Sequence, residues 1–383
     1  MSGDILFICG TLNQSAAMHQ ISRQLHGYNC FFTPYYADGV EALAAKLGLL
    51  SFSVLGGKHY RDTVNYLESH RLPVDYRGGA REYDLVVTCS DLIVQKNIRG
   101  KRVLLIQDGI TEPETWLFKW IRSLKLPRYL ANTAALGLSD AYDVFCVASA
   151  GYRKLFIKKG VRPDKIVVTG LPNFDDLASC LQNDFPKRDY VLVATSPLRE
   201  SFRRDDRDAF ILKCVQIAAG RPMIFKLHPT ENFKRAAREI RRWAPEALIY
   251  NSGDINPMIA NASVVITQQS TCTYVALALG KELYTNLNVE ELKRLMPVQN
   301  GGKSAARIAE LCLRLLDRPL PAKRDVPSGM VQGARRAVRT RTTLTVYRIG
   351  ELVALDLRVG RRGMPSIRLL IPWPSLWRTR WYG

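Results

Sequence analysis

The sequence predicts an α/β protein: two Rossmann-like, doubly wound parallel-sheet domains facing a central cleft, followed by a basic C-terminal tail. Three observations lead there. Short β-rich runs alternate with helix-period segments from the first residues, the rhythm of parallel strands covered by helices. That rhythm stops and restarts once, across "GLPNFDDLASCLQNDFPKRD" at 170–189, where Gly, Pro, Asn and Asp interrupt the periodicity. The 383 residues also exceed what one core usually holds, about 250–300 residues.

In order, the first series reads as a strand at "DILFICG", a helix over 14–26, then the strands "YDLVVTCSDLIV", "RVLLIQDG", "VFCVAS" and "KIVVTG" with helical stretches between most of them. The second begins at residue 190. It runs "YVLVATS", helix 205–219, "PMIFKLH", helix 232–243, "ALIYN", helix 255–261, "SVVITQQ", helix 271–280, "ELYTNL" and helix 302–317. The expected divisions are a first, acceptor-side domain at 1–172, a linker at 173–189, a second domain at 190–320 and a tail at 321–383. No repeat of 20–50 residues is present.

Composition removes several classes. No run approaches the roughly 20 apolar residues that cross a bilayer, and "MSGDILFICG" lacks the basic start and apolar length of a secretory signal, which points to the cytoplasm. Eight cysteines occur without a CxxC pair or a histidine at ligand spacing, so neither zinc nor a disulfide framework is expected. The loop "GTLNQSAAMHQI" has one glycine, not a GxGxxG fingerprint, which argues against a nicotinamide cofactor.

Of the net charge of +20, more than half lies in residues 318–383, with 14 Lys or Arg against 3 Asp or Glu. That tail reads either as a poorly ordered or frameshifted segment or as an attachment to an anionic membrane surface, since clustered Arg with Trp suits headgroups. The stretch "TWLFKWIRSLKLPRYLA", 115–131, reads either as a half-buried helix or as a membrane-interface helix. No RNP, zinc-finger or basic-zipper signature accompanies the charge, so nucleic acid is not an expected partner.

In doubly wound sheets, ligands bind at the carboxyl ends of strands, so polar residues there are the candidates. "IFKLHP" ends in Lys226 and His228, two residues apart and hence on one side of the strand, with Pro229 stopping it. An imidazole that titrates near neutrality beside a lysine suits a phosphate. "SVVITQQSTCTYVALALGK" turns from a strand through Gln269, Ser270 and Thr271 into a helix, whose unpaired N–H groups suit an anion. "RVLLIQDG" ends in Gln107, Asp108 and Gly109. A carboxylate there can take a proton from an attacking hydroxyl, and the glycine permits close approach. Gly10, Asn13 and Gln14 after the first strand reach toward the acceptor side, and Ser196 with Arg199 in "ATSPLRE" toward a donor phosphate.

The ordered set "QDG" at 107–109, "HP" at 228–229 and "ST" at 270–271 resembles that of GT-B glycosyltransferases of the bacterial sialyltransferase and capsular Kdo-transferase type. Their first motif is acidic-acidic-Gly, where this chain has Gln107. The resemblance implies Asp108 as general base on the acceptor hydroxyl, His228 at the donor phosphate or leaving group, and Ser270 and Thr271 holding that phosphate. It further implies a nucleotide-activated sugar, CMP- or UDP-linked, as co-substrate and a glycan or glycolipid acceptor. Helix N–H groups, hydroxyls and His228 can meet the leaving-group charge, so no metal or other cofactor is expected.

The second half is also similar to CDP-glycerol glycerophosphotransferases. "KIVVTGLPNFDD" is similar to the interdomain stretch of UDP-N-acetylglucosamine 2-epimerases, whose Ser-Gly-Gly segment is replaced here by "QQSTCTYVA". The expected function is therefore metal-independent sugar transfer in surface-glycan or capsule synthesis, in the cytoplasm with the inner membrane face as docking surface. A non-catalytic glycan- or membrane-binding relative is the alternative of another class.

Overall fold

The structure, a computed structural model, describes residues 3–48, 50, 53–111, 118, 128–200, 204–268, 270–318, 343–349, 352–358 and 367–372. Two compact units result, 1–319 and 320–383.

The larger unit contains two all-parallel sheets. The first has six strands: β1 Asp4–Cys9, β2 Asn29–Pro34, β3 Leu85–Thr88, β4 Arg102–Ile106, β5 Val144–Val147 and β6 Ile166–Val168, in the order β2-β1-β3-β4-β5-β6. The second has five: β7 Val191–Ala194, β8 Met223–Lys226, β9 Leu248–Tyr250, β10 Val264–Thr267 and β11 Glu282–Thr285, in the order β11-β10-β7-β8-β9. Strands such as "LFIC", "VLVA" and "VVIT" are apolar without alternation because helices cover both faces, and their side chains are wholly buried. The strand order reverses between β1 and β3 in one sheet and between β7 and β10 in the other. Those points open crevices at the carboxyl edges. This is the α/β fold of GT-B type.

The helices are α1 Leu12–Ser22, α2 Gly39–Lys46, α3 Gly57–Ser69, α4 Ala150–Lys159, α5 Arg207–Ala218, α6 Phe233–Trp243, α7 Ile255–Asn261, α8 Cys272–Ala278, α9 Val289–Leu295 and α10 Ser304–Asp317. Several of these elements depart from the sequence reading, α9 among them, which it did not include. β2 was not among the expected strands; it is an edge strand with a partly exposed face that ends in Pro34, tolerated where no further neighbour needs its N–H. The expected helix 271–280 is only the seven residues of α8.

The last helices of the expected second domain also pack against the other sheet. In α10, Ile308, Ala309, Cys312 and Leu315 are buried in the core of the first sheet, together with Leu292 of α9. The linker and the end of β6 hold the start of α10: Asp175 Oδ2 accepts from Ser304 N, and Thr169 O accepts from Ser304 Oγ at 2.9 Å. Burying side chains of this size stabilises by about 1.5–3 kcal/mol each, enough to bring the last helices back across the linker.

In the smaller unit, Thr343–Ile349, Leu352–Arg358 and Ile367–Pro372 pair as an antiparallel sheet, with Thr343 opposite Arg358 and Leu357 opposite Ile367. Strand structure is thus present where the sequence suggested only a basic tail of unknown order. All eight cysteines are free thiols. Of the stretch 115–131, only Phe118 and residues 128–131 are described. Gln269 likewise lies outside the described residues.

Candidate functional site

Each described residue singled out from the sequence follows the carboxyl end of a parallel strand or closes it, because the apolar run ends where the strand leaves the core. Asp108 stands two residues beyond β4 and is half-buried. Its carboxylate is held by Gln14, whose Nε2 donates to Oδ2 at 2.5 Å. The other end of the Gln14 amide accepts from Gly10 N at 2.9 Å, which fixes the amide's orientation. Thr11 caps α1 by accepting from Gln14 N, and so presents that side chain to Asp108. Burial raises the Asp108 pKa, an effect that the Gln14 hydrogen bond partly opposes. The result is a more basic carboxylate than a solvated one.

Gln107 has another role from the one expected. Buried, it donates from Nε2 to Gly109 O at 2.8 Å and accepts from Ala148 N at Oε1 at 2.9 Å. Its amide ties the end of β4 to the end of β5 and faces main chain, not an acceptor. A carboxylate at this position could not donate to Gly109 O. Asn13 is exposed, and its carbonyl accepts from Asn173 Nδ2 at 2.8 Å.

Across the seam, Gly109 meets the Ser-Thr loop. With φ at +64°, it lies so close that a Cβ there would stand 2.7 Å from Thr271 Cγ2. Two loops 160 residues apart in the chain therefore touch. Ser270, not Thr271, caps α8: its Oγ accepts from Cys272 N at 3.2 Å, while Thr271 makes no side-chain cap bond. Nearby, Tyr152 of α4 and Tyr274 of α8 share a buried hydroxyl–hydroxyl bond of 2.8 Å.

The histidine-proline loop is held by a residue the sequence reading passed over. Glu231 accepts from His228 N at 2.8 Å, from Thr195 Oγ1, and from Arg207 Nη2 at 2.9 Å. Arg207 in turn pairs with Asp205, and all three charged side chains are at most 4% exposed. The available signal was Glu231 standing three residues after the histidine in "HPTE".

Thr230 N and Thr230 Oγ1 both face His228 Nδ1, at 3.3 and 2.8 Å. The main-chain N–H can only donate, so Nδ1 accepts and the ring proton sits on Nε2. Burial, with the positive charges of His59, Lys226 and Lys58, lowers the His228 pKa to about 4, so the ring is neutral at physiological pH. Lys226 is 6% exposed and its pKa is lowered by burial.

The expected donor contacts at Ser196 and Arg199 are otherwise engaged. Ser196 is buried and its carbonyl accepts from Arg207, while Arg199 makes a bidentate pair with Glu239 at 2.8 and 2.7 Å. A cavity of about 740 Å³ opens beside them, lined by Arg199, Asp205, Arg207 and Glu239 but by none of Asp108, Lys226, His228, Ser270 or Thr271. Its charges are largely paired with one another. Asp206 and Asp208, an Asp-x-Asp pair, are also locally bonded: Asp206 caps α5 through Ala209 N and Asp208 accepts from Trp243 Nε1.

No protein-family model matches the chain, and no curated protein matches it. Among solved structures, the UDP co-structure of S. aureus MnaA matches over 84% of this chain and 100% of its own, at 11% identity and a TM-score of 0.54. A Listeria monocytogenes protein described as a candidate UDP-N-acetylglucosamine 2-epimerase matches over 83% and 98%, at 14% identity and 0.54. The wall teichoic acid polymerase TagF with CDPG matches over 82% and 88%, at 11% identity, but its TM-score of 0.47 is too low to bear on the argument.

Likeness at such identity establishes the fold alone. The finer resemblance, to sialyltransferases and Kdo transferases, rests on the motifs. Among the described residues no helix is long and apolar enough to cross a membrane.

Proposed function

We propose that this chain is an enzyme that transfers a sugar from a nucleotide-activated donor to a hydroxyl acceptor, with the seam between its two sheets as active site. The observation that carries the reading is the contact of Gly109 with Thr271, which brings the Asp108 loop of one sheet against the Ser-Thr loop of the other. A base from one lobe then faces the phosphate-binding elements of the other, as transfer between two bound substrates requires.

In the reaction, Asp108 takes the proton of the acceptor hydroxyl. The acceptor oxygen bonds to the anomeric carbon, and the bond from that carbon to the donor phosphate oxygen breaks with its electron pair on the phosphate. Lys226, the Nε2–H of His228 and the hydroxyls of Ser270 and Thr271 meet the charge that develops there. These groups supply the stabilisation without a metal, and Asp206 and Asp208 are already bonded elsewhere.

The reading includes an acceptor from surface or lipid-linked glycan and a cytoplasmic reaction at the inner membrane face, supported by the basic residues of 115–131 and 318–383. The non-catalytic alternative drew support from a missing acid at Gln107. That support weakens, because the amide there holds Gly109 in place. A second catalytic reading, epimerisation, draws on fold neighbours that include the MnaA–UDP co-structure.

The test is release of nucleotide from CMP- and UDP-sugars by wild type, Asp108→Asn and His228→Ala. Equal release by all three would remove the reading. Epimerisation at C2 breaks a carbon–hydrogen bond, so solvent deuterium appearing in UDP-N-acetylglucosamine without an acceptor would replace transfer by epimerisation.

A further inference from the structure

Where the histidine-proline loop faces the first turn of α3, four basic side chains from the two sheets' sides of the seam come together. Lys58, in that first turn, donates from Nζ to the main-chain carbonyl of Pro229 at 2.5 Å. The charges acting on the His228 ring are those of His59, Lys226 and Lys58, all of one sign, while its main-chain N–H donates to Glu231. Lys58 also acts on Lys226, which makes only a 3.4 Å hydrogen bond to Leu227 O although it is 6% exposed. Asp254 and Asp62 are the opposing charges on Lys226 and His59, and no ion pair of Lys58, Lys226, His59 or His228 forms among the described residues.

Two lysines drawn toward one loop, one of them buried, are unfavourable unless a counter-charge arrives. Here the nearby carboxylates, Asp254 and Asp62, act only at a distance and form no ion pair with the lysines among the described residues.

We infer that Lys58 and His59 join Lys226 and His228 in a two-sided cradle for a diphosphate, with the first lobe supplying half of the contacts. The inference rests on the nucleotide-donor reading in naming the diphosphate's source, and it deepens that reading by selecting a nucleoside diphosphate over a monophosphate. Four basic groups spread over two lobes match two linked phosphates better than one. Lys58 now bonds a neutral carbonyl, and exchanging it for a phosphate oxygen gives a stronger bond in which both partners are charged. The same exchange makes apposition of α3 and the histidine loop depend on the ligand.

The experiment is calorimetric titration of the full chain with inorganic pyrophosphate, UDP, CMP and uridine, for wild type, Lys58→Ala, Lys58→Arg and the remote, exposed control Lys154→Ala. Lys58→Ala should weaken pyrophosphate and UDP by about tenfold or more, the loss of one charge-assisted hydrogen bond. It should leave uridine and the melting temperature unchanged, since Lys58 is exposed. Lys58→Arg should retain most of the affinity, and Lys154→Ala should match wild type.

Pyrophosphate that fails to bind wild type, or that binds Lys58→Ala equally well, overturns the cradle. So does CMP binding as tightly as UDP. If UDP binds but Lys58→Ala is neutral, the cradle falls and the donor reading survives. If pyrophosphate binds through Lys58 but no nucleotide sugar is turned over, the cradle stands and the donor reading falls.

Discussion

Replacing Gly109 by alanine measures whether the Asp108 loop and the Ser-Thr loop meet as described. At φ of +64° the backbone lies in the left-handed region, which costs an L-residue with a Cβ about 1–2 kcal/mol. The new Cβ would stand 2.7 Å from Thr271 Cγ2, where relaxed carbon contacts lie near 3.5–4.0 Å. Forcing roughly an extra methyl into such a contact costs about 1–3 kcal/mol. The two costs together come to about 2–5 kcal/mol, or a fall in melting temperature of about 3–8 °C for a cooperative unit of some 300 residues.

The two parts separate in a cycle. Serine at 271 lacks Cγ2, so Gly109→Ala with Thr271→Ser should recover the packing part and keep the backbone part. Chemical denaturation of the two single variants and the double variant measures this. A Gly109→Ala protein as stable as wild type, or a double variant no better than that single one, would refute the seam and the site built on it.

Four further outcomes follow from the same geometry. Arg207→Met leaves buried Glu231 without its cation and Asp205 with only Arg199, 3.5 Å away, and should cost about 3–5 kcal/mol in urea denaturation; a change under about 1 kcal/mol would contradict the network. Gln107→Glu removes the donor to Gly109 O, so it should destabilise by about 1–3 kcal/mol and restore no activity, where a gain in turnover would show that the position wants an acid. Gln14→Leu removes the bond that holds down the Asp108 pKa, so the acid limb of kcat/KM should move to higher pH, and an unmoved limb would separate Asp108 from the base.

His228 titrates near pH 4 folded against about 6.5 unfolded, so its contribution to stability is complete above about pH 6.5 and is lost as pH falls toward 4, by about 3 kcal/mol at most. Asp108 and Glu231, whose pKa values are raised, act in the opposite direction. His228→Gln should therefore be less acid-sensitive than wild type, and a His228 ring resonance that shifts between pH 6 and 7 would overturn the assignment.

The fold was legible because each core strand carries its own signal. "VLVA" and "VVIT" are apolar throughout, and a run of that kind between turn residues fits a strand covered on both faces. β2 gave no such signal, since an edge strand with an exposed face and a closing proline looks like loop. α10 was recognised as a helix from its apolar positions but assigned to the wrong neighbour. Ile308, Cys312 and Leu315 announce a buried face, and nothing local says which core will bury it. The hydrogen bonds from Ser304 to Thr169, beyond β6, and to Asp175 of the linker help make that choice.

The candidate site divides along the same line. Lys226, His228 and Pro229 could be found because a strand that ends in a proline announces its own carboxyl edge. Lys58 could not, because a lysine in the first turn of a helix is indistinguishable from a solvated one until the fold sets it against Pro229, 171 residues away. Gln107 shows the converse. Its position in a motif suggested chemistry, while its surroundings, two main-chain partners with opposite hydrogen-bonding needs, demand an amide. Strand ends thus mark a candidate site from local pattern, but a basic side chain set against it comes from the other lobe. On the proposed reading, the choice between one phosphate and two is made where α3 faces the histidine loop, a contact that no single stretch of sequence displays.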